Sequence, residues 1–154
     1  MTLSSPGDGA PVPSLTVNHV GLCVTDLGRS RRFYEGALGF TYERSLQPPD
    51  GICSTLLRVD RPVGLTAVYL ACGSFTLELL AYERPGNPLA RERPMTEPGL
   101  THLSFTTPDL DATLALVTAF GGEVLEDTNV GVAVMIRDPD GQLLELLAAR
   151  APVA

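Results

Sequence analysis

The sequence contains only two histidines, His19 and His102, and they stand 83 positions apart. Each lies seven positions before an Asp-Leu pair, Asp26-Leu27 and Asp109-Leu110. The tetrapeptide Leu-Glu-Leu-Leu also occurs twice, at 77–80 and 144–147, which sets Glu78 and Glu145 at matching places. A histidine followed by a glutamate therefore recurs in two successive halves. Two neutral imidazole nitrogens and two carboxylates make a donor set for a borderline first-row divalent metal ion such as Ni, Co, Zn, Mn or Fe. Octahedral coordination by four such donors would leave two positions for water or a bidentate substrate.

Strand alternation sharpens this reading. Glu78 shares a face with Thr76 and Leu80, and Glu145 with Leu143 and Leu147. Leu77, Leu79, Leu144 and Leu146 point the other way. His19 shares its face with Val17 and Gly21, and His102 with Leu100 and Ser104. A carboxylate inside a strand that is apolar on both faces needs compensation, because an unpaired buried charge is expensive. The chain has no lysine, and neither Leu-Glu-Leu-Leu strand has an arginine. A divalent metal would supply the charge. If two similar modules pair face to face, His19, Glu78, His102 and Glu145 converge on one point. The sequence leaves open whether one chain forms that point alone. The alternative is a homodimer in which His19 and Glu78 meet His102 and Glu145 of a second copy. Tyr69 and Met135, on the strands before Glu78 and Glu145, are candidates for pocket lining or for ordinary core.

The elements that position these residues follow from turn and cap signals. Leu15 to Val24 reads as a strand, Arg29 to Leu38 as a helix capped by Asp26 and stopped by Gly39. Strands are expected at Phe40–Ser45, Ser54–Val59, Thr66–Cys72 and Phe75–Ala81, the last two joined through Gly73-Ser74. The pattern then restarts, with a strand at Leu100–Thr106 and a helix at Leu110–Phe120 capped by Asp109. Strands follow at Glu123–Glu126, Val130–Arg137 and Gln142–Leu147, with Asp138-Pro139-Asp140-Gly141 as a turn. The implied units are a mobile tail over 1–14, modules over 15–82 and 100–147, a linker over 83–99 and a tail over 148–154. The first half carries 16 more residues between its histidine and its glutamate, 59 against 43. They are assigned to loops around Gln47–Gly51 and Asp60–Leu65. Neither half is large enough to close a good core alone, so the two should pair.

The rest of the chain offers little competing chemistry. It has no Gly-rich phosphate loop, no close cysteine pair and no Gly-x-Ser-x-Gly elbow. Cys23, Cys53 and Cys72 read as reduced, mostly buried thiols. Arg29, Arg31 and Arg32 read as a solvated helix face. With 154 residues and 44% hydrophobic composition the chain can bury a core, while a net charge of −7 excludes a general nucleic-acid binder. No apolar run reaches membrane-spanning length, and the start lacks signal-peptide features, so a cytoplasmic location is expected.

The stretches NHVGLCVTDLGRSRRFYEGALGF, GLTHLSFTTPDLDATLALVTAFGG and IRDPDGQLLELL resemble the vicinal oxygen chelate superfamily, which contains glyoxalases, bleomycin resistance proteins and extradiol dioxygenases. The likeness covers about Leu15 to Leu147. It implies an α+β fold of two paired βαβββ modules, with curved mixed sheets around a metal site. It implies His19, Glu78, His102 and Glu145 as ligands, a set similar to that of glyoxalase I and related to that of methylmalonyl-CoA epimerase. The implied activity is that of a metal-dependent lyase or isomerase acting on a small molecule with vicinal oxygens. It would chelate both oxygens and move a proton through an enediolate, with Glu145 as the first choice of base and Glu78 the second. Ring-cleaving Fe(II) dioxygenases are an alternative that the lack of a third histidine disfavours. Drug-binding members lack the metal residues, all four of which are present here. For a CoA substrate, Arg58, Arg61, Arg91 and Arg93 could stand at the pocket mouth, or could be plain loop charge.

Overall fold

Strand, helix and three further strands occur twice in the computed structural model, which describes residues 14–84 and 94–150. Nearly all of the expected N-terminal tail, most of the linker with Arg91 and Arg93, and residues 151–154 lie outside the described residues. The first module comprises β1 (Val20–Cys23), α1 (Leu27–Leu38), β2 (Thr41–Leu46), α2 (Asp50–Leu57), β3 (Thr66–Cys72) and β4 (Phe75–Ala81). The second comprises β5 (Leu103–Thr107), α3 (Leu110–Ala119), β6 (Glu123–Val124), β7 (Ala133–Arg137) and β8 (Leu143–Ala148), with one 3-10 turn at Glu126–Thr128. The sheets have the orders β1-β4-β3-β2 and β5-β8-β7-β6. In each, the first strand runs parallel to the last and the other pairs are antiparallel. These are the expected mixed sheets of an α+β fold.

Local chemistry sets the helix ends. The side chains of Asp26 and Asp109 accept hydrogen bonds from the amides of Arg29 and Ala112, each at 2.9 Å, and satisfy donors that a helix start leaves free. Gly39 ends α1 in the left-handed conformation, with φ of 70°.

The structure corrects one element outright. Ser54–Val59 is not a strand; the segment forms α2 and its exit. Asp50, in the first turn of α2, accepts from the amides of Val63 at 3.1 Å and Gly64 at 3.0 Å, which closes the following loop back on the helix. Cys53 is then buried against Val63 and Leu65, with Leu57 packed beside them. This packing outweighs the weak strand preference of the sequence. Much of the extra length of the first half is thus helix as well as loop. Some strands are also shorter than expected. Leu15, Val17, Leu100, Val130 and Val132 lie outside the sheets and are exposed.

One core serves both modules. Leu77, Leu79, Leu144 and Leu146 face into it with Val68, Leu70, Val134 and Ile136, and Phe33, Tyr34 and Ala37 of α1 and Val117 of α3 complete it. Burying each such large side chain is worth about 2 kcal/mol. Phe40 and Phe105 meet edge to face across the modules, 5.6 Å between centroids. The backbone of the second module comes so close that a Cβ on Gly122 would stand 2.6 Å from the Phe33 ring and 2.9 Å from the Arg137 carbonyl oxygen.

The turn between β7 and β8 ties the modules together with charge. Asp140 accepts from the Thr25 amide at 3.3 Å, from the Thr25 hydroxyl and from Ser30 Oγ at 3.0 Å, and pairs with Arg29 at 2.6 Å. Burial pushes this carboxyl up, but the hydrogen bonds from Thr25 and Ser30 and the Arg29 charge outweigh it and hold it below its usual range. Arg29 is therefore an inter-module ion-pair partner, and its reading as solvated is corrected. Asp138 is buried and accepts from the Tyr34 hydroxyl at 2.9 Å.

Two outcomes follow from these contacts between the modules. Asp140→Asn is expected to lose about 2 kcal/mol near neutral pH, the scale of hydrogen bonds to a charged group. A depressed carboxyl stabilises above its unfolded pKa, and that contribution disappears as pH falls through the folded value. Urea unfolding should therefore show the wild-type advantage shrinking in acid. Gly122→Ala should cost about 2 kcal/mol through overpacking, read in the same assay.

Candidate metal centre

Cross-strand register builds a row of side chains on the face of the first sheet that lies away from the core. Glu78 stands opposite Gly21 of β1 on one side and Tyr69 of β3 on the other, and Tyr69 stands opposite Arg44 of β2. His19, just before β1, reaches the row: its Nε2 lies 3.0 Å from Glu78 Oε2. The Tyr69 hydroxyl donates to Glu78 Oε1, and the His19 and Tyr69 rings meet edge to face at 5.6 Å. A Cβ on Gly21 would stand 3.3 Å from Leu80 Cδ1 and in ordinary contact with Glu78 Oε2, at 3.5 Å. Burial, together with the Glu78 carboxylate, pushes the Tyr69 phenol up.

The second sheet repeats the theme with different partners. Glu145 stands opposite Ser104 of β5 and Met135 of β7. Ser104 Oγ donates to Glu145 Oε2 at 2.6 Å, and His102 Nε2 lies 3.7 Å from the same oxygen. Glu78 is the more enclosed carboxylate, its side chain 12% exposed against 28% for Glu145.

The structure thus brings His19 to Glu78 and His102 to Glu145. Among the described residues no group of three or more His, Cys, Asp or Glu side chains could hold a metal ion together. The alternation of each strand explains this separation. Leu77, Leu79, Leu144 and Leu146 enter the shared core, so Glu78 and Glu145 point away from it on two different sheets. Of the two arrangements the sequence leaves open, a single chain does not assemble the four residues.

Several expectations about the surroundings change. The glutamates are not sealed between two apolar faces: Leu143, Leu147, Thr76 and Leu80 are only half-buried. Neither carboxylate lacks a partner, since Tyr69 and Ser104 donate hydrogen bonds and imidazole nitrogens lie 3.0 and 3.7 Å away. Of the three thiols only Cys53 is buried; Cys23 and Cys72 are exposed. Arg58 and Arg61 are exposed beside α2. Leu80 and Tyr82 pack on the small cluster of Cys53, Val63 and Leu65, so the α2 segment covers part of the face that carries Glu78. Sequence reasoning missed Arg44. Its place depends on a bulge in β2, for which strand alternation gives no signal.

Known proteins agree with this architecture. The family model described as Glyoxalase/Bleomycin resistance protein/Dioxygenase superfamily matches residues 16–146. A search of curated proteins finds no match. Among solved structures, a glyoxalase family protein from Bacillus cereus superposes with a TM-score of 0.75 at 19% identity, covering 89% of this chain and 95% of that one. The trypanothione-dependent glyoxalase I of Leishmania major gives 0.65 at 23% identity, over 88% and 87%. A glutamate-to-glutamine mutant of the fosfomycin resistance protein FosX of Listeria monocytogenes, complexed with Mn(II) and 1S,2S-dihydroxypropylphosphonic acid, gives 0.60 at 18% identity, over 88% and 93%. At these identities the likeness establishes a common fold. With the family model spanning both modules, the chain belongs to the Glyoxalase/Bleomycin resistance protein/Dioxygenase superfamily.

Proposed function

We propose that the protein is a divalent-metal-dependent lyase or isomerase of the glyoxalase I kind, working as a homodimer on a small molecule with neighbouring oxygens. The observation that carries this reading is the pair of His–Glu couples at repeat-equivalent places, both facing away from the core. Each couple offers one imidazole nitrogen and one carboxylate, the right chemistry for a borderline ion but too few donors to hold it. Two copies supply what one lacks. His19 and Glu78 of one protomer would meet His102 and Glu145 of the other, giving two equivalent centres. β1 and β5 are the outer strands of their sheets, and such edges call for cover. Val17 and Leu100, close to the two histidines, are 88% and 59% exposed, which suits a surface that a second copy buries.

A divalent cation in this set would polarise both substrate oxygens and ease loss of the proton beside a carbonyl. The chain must supply the base. Tyr69 and His19 engage Glu78 at both of its oxygens. At Glu145, Ser104 and His102 both approach Oε2. That geometry favours Glu145 as the group that takes the proton, with Oε1 as its acceptor and Ser104 fixing its orientation. Glu78 is the second choice.

Purified protein reconstituted with Zn, Ni, Co or Mn should hold one metal per chain and sediment as a dimer, and His102→Ala should lose the metal. Metal-free protein after reconstitution sinks the proposal. His19→Ala and His102→Ala should each be inactive alone, yet a hybrid dimer of the two should regain one intact centre; no recovery on mixing excludes the shared site. Deuterium wash-in from D2O at the carbon beside the carbonyl of an α-hydroxyketone reads the proton transfer by NMR. Glu145→Gln should slow it by at least about 100-fold, the usual contribution of a positioned base. Full metal occupancy with no exchange over a panel of such ketones would favour a ligand-binding role instead.

A further inference from the structure

The row Arg44–Tyr69–Glu78 has a feature that proton transfer does not use. In β2 the register shifts between Tyr42, opposite Leu70, and Arg44, opposite Tyr69. An unbroken ladder would set Glu43 opposite Tyr69 and bring a second carboxylate into the row beside Glu78. The bulge skips Glu43 and puts a guanidinium there instead. Bulges re-aim side chains in this way beside functional sites. The Arg44 guanidinium lies 3.9 Å from the centroid of the Tyr69 ring. Its ion pair with Glu43 is long, 4.0 Å, and its side chain is half exposed. Stacking fixes the plane of a guanidinium while leaving its N–H edge able to bind a planar or tetrahedral oxyanion.

The matching row of the second module carries no cation. It runs from Ser104 through Glu145 to Met135, and Leu125 follows, its amide donating to the Met135 carbonyl oxygen at 3.0 Å. Arg44 therefore has no counterpart in that row; the nearest cation on the same face, Arg137, two residues along β7 from Met135, is paired with Glu123 at 3.8 Å.

We infer that Arg44, held on Tyr69, binds an oxyanion group of the substrate, so that the natural substrate is an acid carrying a carboxylate or phosphoryl group in addition to its two neighbouring oxygens. This rests on the metal-centre reading above and adds the substrate class. The group would sit on the β2 side of Glu78, and Leu125 and Met135 would offer the other side an apolar surface. Tyr69 takes two roles: its ring carries Arg44 and its hydroxyl positions Glu78.

Zn(II)-loaded protein is redox-inert and suits a binding test with three catechols of like shape. These are 3,4-dihydroxybenzoate, 3,4-dihydroxyphenylphosphonate and the neutral 3,4-dihydroxybenzamide, titrated by calorimetry. The wild type should bind at least one of the two acids about tenfold or more tighter than the amide, the scale of one charge-assisted contact. Whichever acid is preferred identifies the oxyanion. Arg44→Gln should abolish the preference at unchanged zinc content, while Arg44→Lys should keep part of it. Equal affinity for acids and amide in the wild type, or a preference that survives Arg44→Gln, overturns the assignment while leaving the metal reading intact. A chain that takes up no zinc overturns both.

Discussion

The packing of the two modules through their helices is the constraint on which the rest of the structure depends. α1 and α3 and the leucine faces of both sheets share one core, and the Asp140 carboxylate clamps the β7–β8 turn to the start of α1. Once Leu77, Leu79, Leu144 and Leu146 are committed inward, a period of two commits Glu78 and Glu145 outward. The same burial that stabilises the fold thus distributes the chemical groups over two separate outer faces. Joining all four within one chain would mean taking one sheet off the shared core and exposing its leucines. That would forfeit several side chains' worth of burial, each about 2 kcal/mol. A contact between two copies leaves the leucines where they are.

The halves repeat in topology and differ where chemistry would differ. Glu78 is enclosed by Tyr69 and His19 and roofed in part by the α2 segment. Glu145 has a serine, a more distant histidine and a methionine around it. The first carboxylate is thus the more enclosed and the second the freer, 12% against 28% exposed. The extra residues between β2 and β3 buy this difference, since they form α2 and its buried Cys53 cluster on the face that carries Glu78. The repeat supplies two His–Glu couples, and different neighbours give each a distinct environment.

Much of this was legible in the sequence, for physical reasons. Asp26 and Asp109 reveal helix starts because capping is a local interaction. The outward aspect of Glu78 and Glu145 follows from alternation between leucines. What depends on distant partners was hidden. α2 forms because Asp50 finds the amides of Val63 and Gly64, thirteen and fourteen residues on. Arg29 reads as solvated until Asp140, 111 residues away, is placed beside it. Arg44 joins the row through a bulge, and a single inserted residue exchanges the faces of a strand without any mark in composition. The question of one chain or two was open because the repeat fixes equivalence between halves and says nothing about which faces meet.

In the proposed dimer, metal binding and association become one equilibrium. A monomer presents two donors per face, so an ion gains its full coordination only when a second chain arrives. Ligand that binds the assembled state alone must stabilise that state by mass action. By reciprocity, whatever factor the metal adds to dimer affinity, dimerisation adds to metal affinity. Chelation then acts on quaternary structure first, while the shared core within each chain, which uses none of the four donors, stays folded. The Asp140 junction lies beside that core and ties the β7–β8 turn of each protomer to the start of its α1. In such a dimer this junction would link the two centres, because each protomer would contribute its first sheet to one centre and its second sheet to the other.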